Sequence, residues 1–309
     1  MIVAIAGRRA ATARILLDAA LGDAAPEYTR DLAAADVVVV LEAVDLTGLA
    51  AGSIVVAYSD DPAIAQATAE LPARVVTFGL SGSPDVRADA VESTIDGTAF
   101  VLHSGDAGSG DSSMPVAVGI LGESVVPLVL AALAVAAAAG TPTAESVAAL
   151  ASVTATAPHD MRVTRPAAAL TVIDDTLDLT PRATSDALKA LAQFTIDGTR
   201  SVAVLGELDL PADTDPTESR EEHDRIGRLV VRLNVSRLIV VGQSARHIHN
   251  AAGLEGSWNG ESVLVDTLET AYDLLNDTEF SSQSPTAPVV LLSKAAGLTA
   301  LINQPRRAT

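Results

Sequence analysis

Residues 172 to 191 read VIDDTLDLTPRATSDALKAL, and this stretch decides the fold of the second half of the chain. An apolar run over 170–173 stops at the carboxylate pair Asp174 and Asp175, and apolar residues resume at helical spacing over 184–192, which reads as strand, loop, helix. The order recurs downstream. Strands over 201–205, 237–241, 262–265 and 288–292 alternate with helices over 220–233, beyond Gly242 and over 268–275. Such alternation builds a doubly wound α/β sheet with helices on both faces, and ligands of such sheets sit at the carboxyl ends of the strands. Chemistry is therefore sought in the loops after Ile173, Leu205, Val241 and Leu292.

Upstream the texture is also α/β. Residues 2–6 form a short apolar run ending at Gly7, followed by helical spacing at Ile15, Leu16, Ala19 and Ala20. The runs 37–41 and 53–58 are strands of the kind buried on both faces in a parallel sheet, and 74–79 and 98–103 add two more. The stretch SGDAGSGDSS, 104–113, is Gly and Ser punctuation and reads as a flexible hairpin or loop. Beyond 116–121 comes the uncharged run 125–139, about 15 residues and rich in Ala, which is too short for the roughly 20 needed to span a bilayer and reads as a buried helix. A second helix over 144–151 follows the turn Gly140, Thr141, Pro142. Pro158, His159, Asp160, Arg162, Arg165 and Pro166 then break the apolar flow, so two domains are expected, 1–160 and 161–309.

Composition narrows the function classes. With 20 Lys and Arg against 39 Asp and Glu the formal charge is −19, and such a surface repels nucleic-acid phosphates and anionic membranes. Nucleic-acid binding and membrane insertion are excluded on this reading. Aromatic residues are 3% of the chain, so Ala, Val and Leu must fill the cores. The absence of Cys excludes disulfides, thiolate nucleophiles and Cys-ligated zinc, and it suits a reducing compartment. Arg8, Arg9 and Arg14 lie within the first apolar stretch, against a secretory signal, so a cytoplasmic protein is expected.

Four strand ends in the second half carry linked strings in one order: VIDDTLDLTPRATSDALKAL (172–191), VAVLGELDL (202–210), EEHDRIGRLVVRLNVSRLIVVG (221–242) and VVLLSKAAG (289–297). Together they resemble the C-terminal domain of the Mur ligase family, which builds peptidoglycan, and most closely its branch that adds D-alanyl-D-alanine. The family's pattern there runs roughly IDDSYNANPxSM, VLGDMxELG, HxxVG and LVKGSRS. In the first half, VVTFGLSGSPDVRADAVESTIDGTAFVL (75–102) resembles the same branch, so the likeness covers nearly the whole chain, from about residue 1 to 303. The resemblance implies a P-loop-type central domain followed by a Rossmann-like, doubly wound C-terminal domain. It also implies an ATP- and magnesium-dependent reaction in which a carboxylate is phosphorylated and an amine attacks the acyl phosphate.

The departures from the family pattern fall on the ATP chemistry. A P-loop works because glycines let backbone N–H groups close around phosphates, Lys neutralises their charge and Ser or Thr reaches magnesium. The family's TGSxGKT is matched by Ala6, Gly7, Arg8, Arg9, Ala10, Ala11 and Thr12, which keeps Gly7 and Thr12 and replaces the inner Gly and the Lys with alanines. Arg8 or Arg9 is the substitute cation if ATP is bound at all. Glu42 is either the match to the family's magnesium-binding Glu or a strand-end carboxylate facing water, and 42–52 is too short for the remaining magnesium ligands and the carbamylated Lys. The family's G-x-H-N has become Gly122, Glu123, Ser124, Val125, its hinge Gly-Arg has become His159 and Asp160, and YNAN has become Leu177, Asp178, Leu179, Thr180.

Gly7, Thr12, Glu42, Asp174, Asp175, Asp178, His223 and Lys294 are thus the candidates for residual ligand binding, though most of what remains is what a fold needs. Lys294 is suited to a carboxylate, and Asp174 and Asp175 are suited to capping the turn that follows them ahead of binding a ligand. His223 sits where the family keeps a His, while His247 and His249 read as surface residues without a third metal ligand. No catalytic residue and no metal set is assigned, and no cofactor is expected. The chain reads as an inactive relative that binds a protein partner in cell-wall synthesis or another copy of itself. The alternative is a divergent amide-forming ligase that uses ATP and magnesium.

Overall fold

A computed structural model describes residues 1–94, 96–105, 111–167, 169–194, 199–256, 258–278 and 288–303. The chain divides into two compact units, Met1–Ala157 and Pro158–Thr309.

In the first unit the elements are β1 (Ile2–Ala6), α1 (Ala10–Leu21), β2 (Glu27–Thr29), β3 (Val37–Val40), β4 (Ile54–Tyr58), α2 (Pro62–Thr68), β5 (Arg74–Gly79), β6 (Val86–Thr94), β7 (Gly97–Gly105), β8 (Asp111–Val118), α3 (Val126–Ala138) and α4 (Thr143–Leu150). They form one sheet ordered β2-β1-β3-β4-β5-β6-β7-β8. Pairing is parallel as far as β5–β6 and antiparallel beyond it. Val37 to Val40 are all buried, as four β-branched residues in the middle of a covered parallel sheet must be. Helix α3 is buried nearly all round, and Ala at six of its thirteen positions lets α1 and the sheet approach it closely. Among the described residues no helix is long and apolar enough to cross a membrane. Border strand β2 is tied to α1 through Tyr28, whose hydroxyl donates to Asp18 at 2.7 Å and whose ring lies 4.0 Å from the Arg14 guanidinium carbon. Burial, then the Asp18 carboxylate, push that phenol well above its ordinary pKa.

The second unit contains β9 (Arg162–Ala167), β10 (Leu170–Asp174), α5 (Pro181–Ala192), β11 (Arg200–Leu205), α6 (Pro216–Arg232), β12 (Arg237–Val241), α7 (Arg246–Leu254), β13 (Glu261–Val265), α8 (Leu268–Thr278), β14 (Val289–Lys294) and α9 (Leu298–Ile302). The sheet order is β13-β12-β11-β14-β10-β9, parallel except for the antiparallel β9. Strand β14 therefore returns between β11 and β10. Connections from β10 and β11 lead to α5 and α6, which pack on each other, while α9 after β14 packs on α8. The connections thus switch faces at the carboxyl ends of β10, β14 and β11, the position at which doubly wound sheets hold their ligands.

The expected alternation is present, with differences at the element ends. Helices α5 and α6 begin three or four residues earlier than apolar spacing indicates, because Thr180 and Asp215 cap them and Pro181 and Pro216 occupy their first turns. The Asp215 carboxylate is held below its ordinary pKa by the Glu218 and Thr217 N–H groups, so this cap persists on acidification and is lost only below its folded pKa. Strand β9 runs through the stretch expected to be a boundary, and Pro166 is tolerated there because β9 is the border strand. Strand β6 was hidden by the charged residues of its outward face, Arg87, Asp89 and Glu92, whose alternation with buried Val86 and Ala88 is a half-covered strand. Strands β7 and β8 extend into 104–113, and the middle of that expected loop, 106–110, lies outside the described residues.

Candidate functional site

The opening turn of the first unit sits where a doubly wound sheet normally holds its ligand, between the carboxyl ends of β1 and its neighbour β3. Gly7 has φ +142°, and a Cβ there would lie 2.9 Å from the Leu41 side chain at the end of β3. The Arg8 N–H, the first donor of the turn, is taken by the Glu42 carboxylate at 3.0 Å. Arg9 reaches across to the Ser124 carbonyl at 2.5 Å. Thr12 is fully buried, and its hydroxyl oxygen accepts the Ala157 N–H at 3.1 Å. Its contact is thus with the last residue of its own unit. Thr12→Val removes that acceptor at constant volume and leaves a buried N–H, so it is expected to lower stability by about 1–3 kcal/mol, with Thr12→Ser close to wild type in thermal denaturation.

A second constellation lies at the carboxyl ends of β10 and β14. Lys294 is the last residue of β14 and has a side chain 1% exposed; its ammonium lies 2.5 Å from Asp175 Oδ2 and donates to the Asp178 carbonyl at 2.6 Å. Asp175 Oδ1 accepts the Met161 N–H at 3.0 Å. Helix α5 is capped by Thr180, and Asp178 accepts the Thr180 N–H at 3.0 Å. Beside this pair, His159 Nδ1 lies 2.8 Å from Asp174 Oδ2, and the Thr176 hydroxyl donates to Asp174 Oδ1 at 2.9 Å. A carboxylate only accepts, so Nδ1 carries the proton. The backbone is left-handed at His159 (φ 66°) and Met161 (φ 48°), and the His159 carbonyl accepts the Leu177 N–H at 2.7 Å.

His223 is buried on α6, its Nδ1 2.7 Å from the Ser219 carbonyl, while Nε2 accepts the Leu208 N–H at 3.4 Å. Both nitrogens are used by backbone, so this imidazole pins the loop after β11 to the helix. His247 and His249 are half-buried on α7, a difference from their reading as surface residues; His249 Nδ1 lies 2.7 Å from the Ser262 hydroxyl. Burial, then the neighbouring Arg246, push the His247 pKa below the usual value. No group of three His, Asp or Glu among the described residues could hold a metal ion.

The structure therefore gathers Asp174, Asp175, Asp178 and Lys294 at one place in the second unit, sets His223 at the neighbouring loop, and places Gly7, Thr12 and Glu42 together in the first. Sequence reasoning missed Thr176 and gave His159 only a hinge position. The signal available was a His standing where the resembling family has Gly.

No family model matches the chain. Among curated proteins, the chain is 38% identical over 247 residues to the UDP-N-acetylmuramoyl-tripeptide--D-alanyl-D-alanine ligase of Mycobacterium leprae, covering 72% of this chain and 46% of that one. The Mycobacterium tuberculosis ligase of the same name is 38% identical over 221 residues, 69% of this chain and 41% of its own. The chain thus spans less than half the length of these relatives. Among solved structures, MurF from Acinetobacter baumannii superposes with a TM-score of 0.75 at 18% identity, covering 97% of this chain and 75% of that one. The MurF ligase from Thermotoga maritima in complex with ADP gives 0.70 at 16%, covering 98% and 78%. At these identities the solved structures speak for the fold.

Proposed function

The chain belongs to the Mur ligase family, and from that premise we propose that it serves peptidoglycan precursor metabolism as a relative without ATP chemistry of its own, acting by binding a cell-wall synthesis protein or a second copy of itself. The observation that carries this reading is the state of the opening turn. A phosphate would have to displace the Glu42 carboxylate from the Arg8 N–H, and it would meet alanines at positions 10 and 11 where the cradle requires a glycine and a lysine. Thr12, which stands at the family's magnesium-reaching Ser or Thr, is buried and engaged by Ala157. These residues do not fit a magnesium-bound triphosphate. Each lost charged contact costs on the order of 1.5–3 kcal/mol, and several are missing together.

Isothermal titration of the full chain with Mg-ATP tests the reading. No saturable heat is expected up to millimolar nucleotide. Phosphate release from ATP in step with amide formation would overturn it in favour of a divergent ligase.

A further inference from the structure

Strand β13 forms one margin of the second sheet, with β12 on one side and no strand on the other among the described residues. Its register against β12 runs unbroken from Arg237 opposite Glu261 to Val241 opposite Val265, without the shift that interrupts β9 and β10, and it contains no proline. A residue of a parallel ladder directs its N–H and its C=O to the same neighbour. The Glu261 N–H donates to the Ser236 carbonyl at 3.3 Å, and the Val265 carbonyl accepts the Gly242 N–H at 2.8 Å. Glu261, Val263 and Val265 therefore serve β12, and the backbone groups of Ser262 and Leu264 point outward. The faces of the strand are covered: the Ser262 hydroxyl lies 2.7 Å from His249 of α7, while Val263 and Val265 join the core cluster of Ala271 and Leu275 from α8. Both helices also pack on β12, so they sit over the strand pair and leave its lateral margin open.

The charges along this margin select its occupant. The chain carries −19 overall, and a row of unmatched carboxylates would call for a basic segment. Instead Glu261 lies 3.0 Å from the Arg237 guanidinium, and Asp266, just past the strand, accepts from the Gln243 amide at 2.8 Å. The margin is its own complement. A second copy running antiparallel about a two-fold axis through Val263 sets Ser262 opposite Leu264 of that copy, and Leu264 opposite its Ser262. These are hydrogen-bonded pairs, so every outward N–H meets a C=O. Val263 then meets Val263, Glu261 meets Val265 and Asp266 meets Gly260, so no two like charges stand opposite each other. We propose that β13 is the site at which a second copy of this chain binds, by antiparallel strand addition that joins two six-stranded sheets into one. This deepens the proposed function and rests on its self-binding arm. The contact is short, so the dimer is weak and depends on concentration.

Sedimentation velocity of the full chain from micromolar to millimolar concentration tests this. A monomer–dimer equilibrium is expected, shifted toward dimer by added salt, which screens the repulsion between two chains of charge −19. Two variants attack the margin in different ways. Leu264→Pro removes an N–H that β12 does not use, a place where an outer strand tolerates proline, and Val263→Lys sets two ammonium groups against each other across the axis. Each should stay folded by circular dichroism and weaken association about tenfold or more. Because the chain has no Cys, a single Val263→Cys reports the register. Opposed Cα atoms at a non-hydrogen-bonded site lie about 4.5 Å apart, close enough for a disulfide, so mild oxidation should yield covalent dimer. The exposed α8 position Glu269→Cys should not. A wild type that stays monomeric throughout gives the margin to a foreign strand or to none and overturns the proposal. A dimer unchanged in both folded variants, or equal cross-linking by the two cysteines, overturns it as well. The monomer result leaves the absence of ATP chemistry standing, and ATP turnover would leave the dimer standing.

Discussion

Lys294→Ala is expected to destabilise the second unit by about 3–5 kcal/mol, because it strands the Asp175 carboxylate in a buried site. For a unit of this size each kcal/mol shifts the midpoint by about 2–4 °C, so thermal denaturation should show a fall of roughly 6–20 °C. The loss of a charged donor to the Asp178 carbonyl adds to the effect. The pair itself contributes less than its disruption costs, since an ion pair taken out of water repays little beyond its own desolvation. The double variant Lys294→Met with Asp175→Asn should therefore recover most of the stability. A single variant within about 1 kcal/mol of wild type would mean that Asp175 finds other solvation, and the clamp described above would then be wrong.

The second large effect is expected at Gly227, in the middle of α6. A Cβ at that position would lie 2.3 Å from the Ile248 carbonyl oxygen and 2.9 Å from the Ala251 Cβ, both on α7. Neither atom belongs to a flexible side-chain end, so α6 and α7 must move apart to admit it. Gly227→Val is expected to cost about 2–4 kcal/mol through overpacking, read as a lower denaturant midpoint. Gly253→Ala provides the contrast, because nothing lies within 4 Å of a Cβ there. Helix propensity then favours Ala by up to about 1 kcal/mol. Equal effects at the two glycines would contradict the close helix approach.

Both predictions rest on contacts the sequence does not disclose, whereas the layer order was legible from it. Runs such as Val37–Val40 and 289–292 are apolar enough to announce strands covered on both faces, and the spacing of Ile226, Leu229, Val230 and Leu233 announces a helix. Short or half-charged elements were not legible. Strand β2 has three residues, α2 has seven, and the charged face of β6 masks its period. At the candidate site, Asp174, Asp175 and Lys294 stood out as charged residues at strand ends. Their pairing depends on β14 entering between β11 and β10, a non-sequential neighbour that periodicity cannot supply. The same holds for Thr12. A hydroxyl at the start of a helix reads as available for a ligand, and only the return of the chain to Ala157 shows that it is spoken for.

The placement of two prolines has a consequence for assembly. Pro115 lies in β8 and Pro166 in β9, each the outermost strand at one margin of its sheet. A foreign segment that tried to lengthen either sheet would meet a backbone short of a donor, and the opposite margin of the first sheet offers only the three residues of β2. Growth of the sheets into fibrils is discouraged at those three borders, and strand addition is left to β13, the remaining margin of the second sheet.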